Sequence, residues 1–409
     1  MMTKQPAQRL PPVSSVDYWR DIVFADAFYL RDKSPTEKSN ILKIWHKDFM
    51  FGFLNFPKLV GGEVLFFRSL VRDDYKEMFS LVRQQAATPA LCIEDFAYRS
   101  PDARMNIEVS RFMLQNKSLY DVAGSLPDTD SLDQACLYIR LCKYKYILDY
   151  FRAGPKPSAV VFFADMQPTE HLLSRHFRHH GVTTVTLQHG LYVDYANYNT
   201  VNKINYLHQP SEYFLSWGPS TSELIRRHHP DTKIVECGKP LIFSADPPAD
   251  APPTRPYIAI LLDQKPFHAQ NEQMIEIVQA YALRRDLDVR VRFHPSLPKA
   301  DILAKYPELT EQLHFTDAQM VVGHTSTMIY EALELGCHVM RFASDIPAIN
   351  LPKNSEFRTL DEMEAHAAFP TPSDLSRHYF TAFGAEALEN YRSFFDALFG
   401  TASERPDHG

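Results

Sequence analysis

The stretch AQMVVGHTSTMIYEALELGCHVMRF (318–342) decides the fold class of the chain. AQMVVGH (318–324) is a short apolar run typical of a strand buried on both faces. STMIYEALELG (326–336) predicts a helix that Gly336 closes, and HVMRF (338–342) predicts a second strand. A strand, a helix and another strand in this order form a βαβ unit, so we expect a parallel sheet covered by helices.

The same alternation extends towards the N-terminus. YIAILLD (257–263) and LDVRVRFHP (287–295) are predicted strands on either side of the helix NEQMIEIVQAYALRRD (271–286). Four further predicted strands form an earlier series: SAVVFFAD (158–165), VTTVTLQHG (182–190), SEYFLSWG (211–218) and KIVECGKP (233–240). The sequence therefore predicts an α/β protein with two doubly wound domains.

A proline-dense segment divides the two series. Six prolines lie in the seventeen residues from Pro240 to Pro256, a composition typical of a semi-rigid linker. The predicted organisation is a flexible arm (1–15), an N-terminal α/β domain (16–243) with a mostly helical portion (16–130), a linker (244–256), a C-terminal domain (257–385) and a final helix (386–400).

Composition excludes several function classes. The 409 residues include 43 basic and 50 acidic side chains, and this net charge of −7 disfavours nucleic acid as a partner. Five cysteines without CxxC spacing indicate neither a zinc framework nor a disulfide scaffold. Without a signal peptide or an 18-residue apolar run, the sequence predicts a cytoplasmic protein. Separately, we expect no cofactor and no metal ion.

The turn between the predicted strand and helix at 318–336 is the strongest candidate site. Because ligands of parallel sheets bind at the carboxyl ends of strands, Gly323, Thr325, Ser326 and Thr327 are predicted to meet an anion at the helix N-terminus. Glu331, in the second helical turn, is a candidate partner for ribose hydroxyls. An ordinary N-cap role for Thr325 or Ser326 is the alternative.

The motif RFHP is the second candidate. Arg292 and His294 have the i, i+2 spacing of one strand face, and Pro295 ends the strand. A guanidinium and an imidazole at this point could neutralise a diphosphate or protonate a departing phosphate. The alternative is a surface arginine and a structural histidine.

The earlier series contributes candidate acid/base and acceptor-side groups. Gln188, His189 and Gly190 end one predicted strand, and His189 is a candidate base that Asp194 could orient. Asp165, at the end of the preceding strand, is another candidate base. A structural histidine, a loop acid and a helix cap are the respective alternatives.

Residues beside the predicted linker complete the candidate set. Gly238 and Lys239 precede it and Gln264 follows the first strand after it, and these three are candidate donor-binding residues, with Lys239 either meeting phosphate or remaining solvated. Asp263, at the end of that strand, is a candidate catalytic residue. The histidine-rich tracts RHFRHH (175–180) and RRHH (226–229) lie at predicted helix ends, where cations favour the C-terminal dipole, so we interpret them as structural.

The order QHG (188–190), WG (217–218), GKP (238–240), RFHP (292–295) and GHTSTxxxEAxxxG (323–336) resembles bacterial GT-B glycosyltransferases that assemble capsule and lipopolysaccharide, and the polyol-phosphate transferases of teichoic acid synthesis. The HP and paired hydroxyl residues also resemble transferases that use CMP-sialic acid or CMP-Kdo. The resemblance covers about residues 155–345 and the final helix, and the first 130 residues resemble no family.

The resemblance implies a GT-B fold in which two Rossmann-like domains face a cleft and the C-terminal helix crosses back. It also implies a metal-independent enzyme with an acceptor-side N-terminal domain and a nucleotide-sugar-binding C-terminal domain. His294, Ser326 and Thr327 would bind the donor phosphate, and Glu331 matches the helix acid of the wider pattern. The second hydroxyl is threonine where the relatives have serine, and their acidic pair before glycine is not evident.

The implied reaction moves a sugar from a nucleotide-activated donor, a CMP-sugar ahead of a UDP-sugar, to a surface-polysaccharide acceptor. Because such acceptors are often lipid-linked, we expect a peripheral contact with the inner face of the membrane. Three alternatives stay open: a CDP-polyol phosphotransferase, a nucleotide-sugar epimerase of the same fold, and a non-catalytic scaffold in polysaccharide assembly.

Overall fold

The computed structural model describes residues 16–52, 59–87, 90–94, 103–196, 198, 200–241, 255–295, 297–313, 315–369 and 371–400. The predicted arm at 1–15 and residues 244–254 of the predicted linker lie outside the described residues. No described helix is long and apolar enough to cross a membrane.

The N-terminal domain is built on six parallel strands in the order β2-β1-β3-β4-β5-β6. Their bounds are β1 Val64–Arg68, β2 Ala90–Glu94, β3 Ala159–Phe162, β4 Thr183–Leu187, β5 Tyr213–Ser216 and β6 Lys233–Glu236. The central strands β1 and β3 are buried at every position because helices cover both faces of the sheet.

Ten described helices accompany this sheet: α1 Val16–Ile22, α2 Phe24–Leu30, α3 Pro35–Gly52, α4 Asp73–Arg83, α5 Ala103–Gln115, α6 Ser118–Gly124, α7 Ser131–Ala153, α8 Pro168–His179, α9 Ile204–Leu207 and α10 Pro219–His228. The long helix α7 begins at a capping box, in which Asp130 accepts from the backbone of Asp133 and the Asp133 side chain accepts from the backbone of Asp130.

The C-terminal domain has a second sheet of six parallel strands in the order β12-β11-β10-β7-β8-β9. The strands are β7 Tyr257–Leu261, β8 Asp288–Arg292, β9 Thr310–Glu311, β10 Met320–Gly323, β11 Val339–Phe342 and β12 Glu356–Phe357. The described helices are α11 His268–Arg285, α12 Lys299–Lys305, α13 Thr327–Glu334, α14 Leu360–His366, α15 Ser376–Tyr379 and α16 Gly384–Phe399.

These two sheets confirm the predicted fold class. The chain order reverses between β1 and β3 in the first sheet and between β7 and β10 in the second, and ligands of such sheets bind at these switch points. Helix α16 crosses back onto the N-terminal domain, where the Tyr391 hydroxyl donates to the carbonyl of Gly238 (3.2 Å) and Phe395 packs on Phe66.

The segment 16–130 differs from the mostly helical portion that the sequence suggests. It holds helices α1–α6, but it also supplies β1 and β2 to the first sheet, with β1 paired directly to β3. Because β1 is a switch-point strand, the residues that follow it lie at the edge where a ligand is expected.

Candidate functional site

A cavity of about 990 Å³ lies between the carboxyl ends of the two sheets and is lined by residues of both domains. We call the lining residues of the C-terminal domain the C-terminal edge and those of the N-terminal domain the N-terminal edge. The C-terminal edge includes the candidate catalytic residue Asp263 and most of the donor-site residues predicted there: Gln264, Arg292, His294, Pro295, Thr325, Ser326, Thr327 and Glu331.

The hydroxyl-rich turn before α13 donates a backbone hydrogen bond to a buried carboxylate. Asp263, at the end of β7, accepts from the backbone N–H of Thr325 (2.7 Å), and burial raises the pKa of Asp263 to about 6. Ser326 caps α13 by accepting from the N–H of Met328 (3.3 Å). The predicted N-cap role is therefore real, and the same turn also lines the cavity.

The turn also contacts the opposite domain. The hydroxyl of Thr327 accepts from the backbone N–H of Leu191 (3.3 Å), one residue after the predicted acceptor-side glycine Gly190. The predicted hydroxyl residues and the QHG segment thus meet across the cleft, as expected if one ligand contacts both.

Arg292 and His294 lie on the C-terminal edge beside this turn. Arg292 donates to the carbonyl of Leu313 (2.7 Å), which holds its guanidinium at the end of β8. Burial lowers the pKa of His294 to about 4, with a further contribution from the charge of Arg72. At neutral pH His294 is therefore an uncharged imidazole, suited to donating one hydrogen bond to a phosphate rather than carrying a positive charge.

Lys239 and Glu331 form a buried ion pair between the domains. The Lys239 ammonium lies 3.1 Å from the Glu331 carboxylate, and the two side chains are 2% and 1% exposed. The ammonium also donates to the carbonyl of Leu241 and lies 5.5 Å from the centre of the Trp217 ring. Lys239 is therefore not a solvated lysine, and it holds the carboxylate predicted to meet ribose.

His189 is the predicted acid/base residue of the N-terminal edge that does line the cavity. Its Nδ1 is 3.1 Å from the Tyr192 hydroxyl, and the Tyr75 ring packs edge-on against it at 5.9 Å. Burial lowers the pKa of His189 to about 3, helped by the charge of Arg72. An imidazole of such low pKa is a weak base, so its direct role is hydrogen bonding.

Two charged residues of the N-terminal edge, Arg72 and Asp74, were not predicted from the sequence. Arg72 directly precedes α4 and Asp74 lies in the first turn of α4; both line the cavity, and they pair with each other. Arg72 donates to the Tyr75 hydroxyl (2.9 Å) and stacks over its ring at 4.0 Å. The signal was the charged run VRDDY directly after the apolar run EVLFFRSL, which marks a strand end once EVLFFRSL is taken as a strand.

The cavity continues along the N-terminal edge to helices α2 and α7, where Asp26, Tyr29 and Arg140 line it. Asp26 accepts from Arg140 Nε (3.2 Å) and from the Tyr144 hydroxyl (2.5 Å). Burial raises the pKa of Asp26, against the opposing charge of Arg140. This arm offers an exposed aromatic ring next to paired polar groups.

Two predicted bases lie elsewhere. Asp165 is fully buried beneath the sheet end, where it accepts from the backbone N–H of Ser211 (2.9 Å), and it is not among the residues that line the cavity. Asp194 is a surface residue that pairs with Arg227 and accepts from the N–H of Ala196 (3.0 Å). Asp165 therefore ties two loops together, and Asp194 is not placed to orient His189.

Three other predicted residues act within the fold rather than at the cavity. The Gln188 amide donates to the Gly190 carbonyl and to Thr221, and accepts from the Trp217 N–H (2.6 Å). Gly323 has no room for a side chain, because a Cβ there would lie 2.5 Å from Ile329.

Gly238 is the third. Its φ of +89° is in the left-handed region, and a Cβ would lie 2.4 Å from the carbonyl oxygen of Ala382. Glycine is therefore required where the returning C-terminal segment passes, and Gly238 is not among the residues that line the cavity.

Comparison with known proteins shows the fold. No protein-family model and no curated protein matches the sequence. A crystal structure of the UDP-GlcNAc 2-epimerase of Methanocaldococcus jannaschii, in complex with UDP-GlcNAc and UDP, is similar with a TM-score of 0.50 and 11% identity, over 82% of this chain and 99% of that chain.

Two further structures are similar at lower TM-scores. The wall teichoic acid polymerase TagF matches with a TM-score of 0.45 and 11% identity, over 96% of this chain and 100% of that chain. A putative UDP-N-acetylglucosamine 2-epimerase of Listeria monocytogenes matches at 0.44 and 12% identity, over 83% and 88%. The fold of the chain is thus of the GT-B type, with two Rossmann-like domains.

Proposed function

We propose that the chain is a glycosyltransferase that moves a sugar from a nucleotide-activated donor to a surface-polysaccharide acceptor. The favoured donor is a CMP-sugar such as CMP-Kdo or CMP-sialic acid, followed by a UDP-sugar. The observation that carries the proposal is the convergence of Arg292, His294 and the hydroxyl turn 325–327 on one interdomain cavity. Each supplies hydrogen-bond donors or positive charge to the same edge.

The donor phosphate would bind at the C-terminal edge. In a displacement at the anomeric carbon, negative charge grows on the departing phosphate, and donors already in position stabilise it without reorganisation. Arg292 supplies charge, His294 a neutral N–H, and the N-terminus of α13 the positive end of its helix dipole. Glu331, fixed by Lys239, is the carboxylate we assign to the ribose hydroxyls.

The acceptor would bind at the N-terminal edge. Asp74 is a half-buried carboxylate that faces the cavity beside Arg72, and its charge acts on both Arg292 and His294. We assign it to removal of the acceptor proton in an inverting reaction. The arm with Tyr29, Asp26 and Arg140 would hold further sugar units of the acceptor, because an aromatic face and paired polar groups suit hydroxyl-rich rings.

The test is nucleotide release from a panel of donors. Purified protein is incubated with CMP-Kdo, CMP-sialic acid, UDP-GlcNAc, UDP-glucose or CDP-glycerol, with and without a lipopolysaccharide or capsule acceptor fraction. Acceptor-dependent release of CMP supports the favoured donor, and release of UDP the second. Conversion of UDP-GlcNAc without acceptor would indicate an epimerase, and release of CMP from CDP-glycerol a polyol phosphotransferase.

Variants keep this test specific. Arg292→Gln is expected to abolish most turnover, whereas Arg284→Gln, which removes an exposed arginine paired with Glu364 on the same domain, is expected to retain it. If no nucleotide raises the melting temperature and no donor is consumed, the enzyme proposal fails and a scaffold role replaces it.

A further inference from the structure

Three metal-ligating side chains meet on the N-terminal domain outside the cavity. Asp21 lies on α1, His171 on α8 and His208 just after α9, and one ligand atom from each lies within 4.8 Å of the others. His171 Nε2 is 3.0 Å from Asp21 Oδ2, and His208 Nδ1 is 3.9 Å from Asp21 Oδ1.

We propose that Asp21, His171 and His208 bind a divalent transition-metal ion, with Zn²⁺ as the best match. Two imidazoles and one carboxylate are a common donor set for zinc, with the fourth position left for water. The nitrogen–oxygen separations of 3.0 and 3.9 Å lie on either side of the roughly 3.3 Å expected between two ligands of a tetrahedral zinc ion. This departs from the expectation of no metal ion, which considered the histidine tracts rather than these residues.

The cluster is partly open, as an ion site requires. The His171 side chain is 8% exposed, while those of His208 and Asp21 are 20% and 38% exposed, so an ion can enter from the solvent side. The His208 ring is held in position by stacking on Phe24 at 5.0 Å between ring centres.

Arg175 is the competing partner. It pairs with the same Oδ2 of Asp21 that faces His171, and its charge opposes a cation nearby. Ligating carboxylates are commonly hydrogen-bonded by a second group on the oxygen that the metal does not use. Arg175 fits that outer role if the ion is bound through Oδ1, which faces His208.

A bound ion would link α1 to the rest of the N-terminal domain. Asp21 belongs to the helix that leads into α2, and α2 supplies Asp26 and Tyr29 to the cavity. An ion that joins α1 to α8 and to the segment after α9 would fix the outer wall of the proposed acceptor arm, as structural metal sites do.

The experiment uses the full chain, stripped of metal with a chelator and then titrated with Zn²⁺ or Co²⁺. We expect about one ion per chain, a melting temperature raised by several degrees with Zn²⁺, and the intense visible absorption of low-coordinate Co²⁺. His208→Ala and Asp21→Asn are expected to lose all three signals. His179→Ala, which removes an exposed histidine of α8 outside the cluster, is expected to keep them.

Two results would overturn the proposal. One is a stripped protein whose melting temperature is unchanged by equimolar Zn²⁺. The other is an equal Zn²⁺ response in wild type and His208→Ala, which would mean that the histidine tracts bind the ion. Because His208 lies in a loop and is partly exposed, its alanine variant is expected to fold, and its melting temperature without metal checks this.

Discussion

On both edges of the cavity a buried carboxylate accepts hydrogen bonds at the ends of the strands, but the lining side chains of the two edges come from different kinds of element. At the first switch point Glu170 accepts from the backbone N–H groups of Ser69 (2.8 Å) and Ala164 (2.5 Å), which follow β1 and β3. At the second, Asp263 accepts from the N–H of Thr325. In each domain a buried carboxylate therefore holds the ends of the two strands between which the chain order reverses.

The two edges differ in the elements that supply their lining side chains. Most of the predicted donor-site residues on the C-terminal edge lie at or directly after the ends of β7, β8 and β10, so they are placed by these strands, whereas Glu331 is placed by α13. The N-terminal edge adds side chains from α2 and α7, brought together by packing across more than a hundred residues, as in the Asp26–Arg140 pair.

The largest expected effect concerns the ion pair that joins the edges. Lys239→Met leaves the buried Glu331 carboxylate without its cation, and breaking such a pair costs about 3–5 kcal/mol of unfolding free energy. The measurement is urea unfolding followed by circular dichroism.

An exposed pair gives the matched control. Lys233 and Glu212 are 2.7 Å apart with side chains 58% and 32% exposed, so solvent screens the pair and Lys233→Met is expected to cost far less stability than Lys239→Met. Equal losses in the two variants would show that the edges are not joined through Lys239.

The next effect tests the C-terminal edge itself. Arg292→Ala and His294→Ala each remove one group already aimed at the developing charge, and each is expected to lower kcat/KM for the donor by about 10²–10³-fold. Full turnover in His294→Ala would remove that residue from the reaction.

Tyr29→Ala, on the other edge, is expected to raise the KM for the acceptor while leaving that for the donor unchanged.

The shared carboxylates predict a common pH dependence. Burial raises the pKa of Glu170 from an ordinary 4.5 to about 7 and that of Asp263 from 3.8 to about 6. At about pH 3 and below, both groups are largely protonated in the folded and in the unfolded chain. As pH rises, the unfolded chain releases these protons first, so stability is lost up to about pH 7.

The size of this loss is about 3 kcal/mol for each group. Urea unfolding at a series of pH values checks it, and Glu170→Gln and Asp263→Asn are each expected to flatten the slope. A wild-type profile that rises over this interval would contradict the burial of the two carboxylates.

The sequence predicted candidate residues that follow recognisable strands on both edges, including His189 and Gly190, but not the side chains that other elements bring to the N-terminal edge. Arg292, His294 and the turn 325–327 could be found because polar residues directly follow apolar runs that are recognisable as strands. The strand β1 was missed because EVLFFRSL, five residues of which form the strand, has no periodicity that separates a buried strand from a buried helix. Arg72 and Asp74 were lost with it.

The individual roles of acidic residues were also beyond the sequence. Asp165 and Glu170 are five residues apart, and nothing local shows that both are buried supports. The role of Asp194 could not be assigned from the sequence because its partner Arg227 lies far along the chain, on helix α10.

The smallest expected effect concerns this surface pair. Asp194→Ala removes an ion pair whose side chains are 39% and 61% exposed, so the loss of stability is expected to be below about 1 kcal/mol, with donor and acceptor kinetics unchanged. A large loss of turnover would restore Asp194 as a partner of His189 and would place a further group on the N-terminal edge.

The most direct test of the central proposal is a crystal structure of the chain with CMP or UDP bound. We expect phosphate oxygens within hydrogen-bond distance of the Arg292 guanidinium and of the backbone N–H groups at the start of α13, with the ribose facing Glu331. A nucleotide bound on the N-terminal edge, with Arg292 and the turn 325–327 free of contact, would contradict the account.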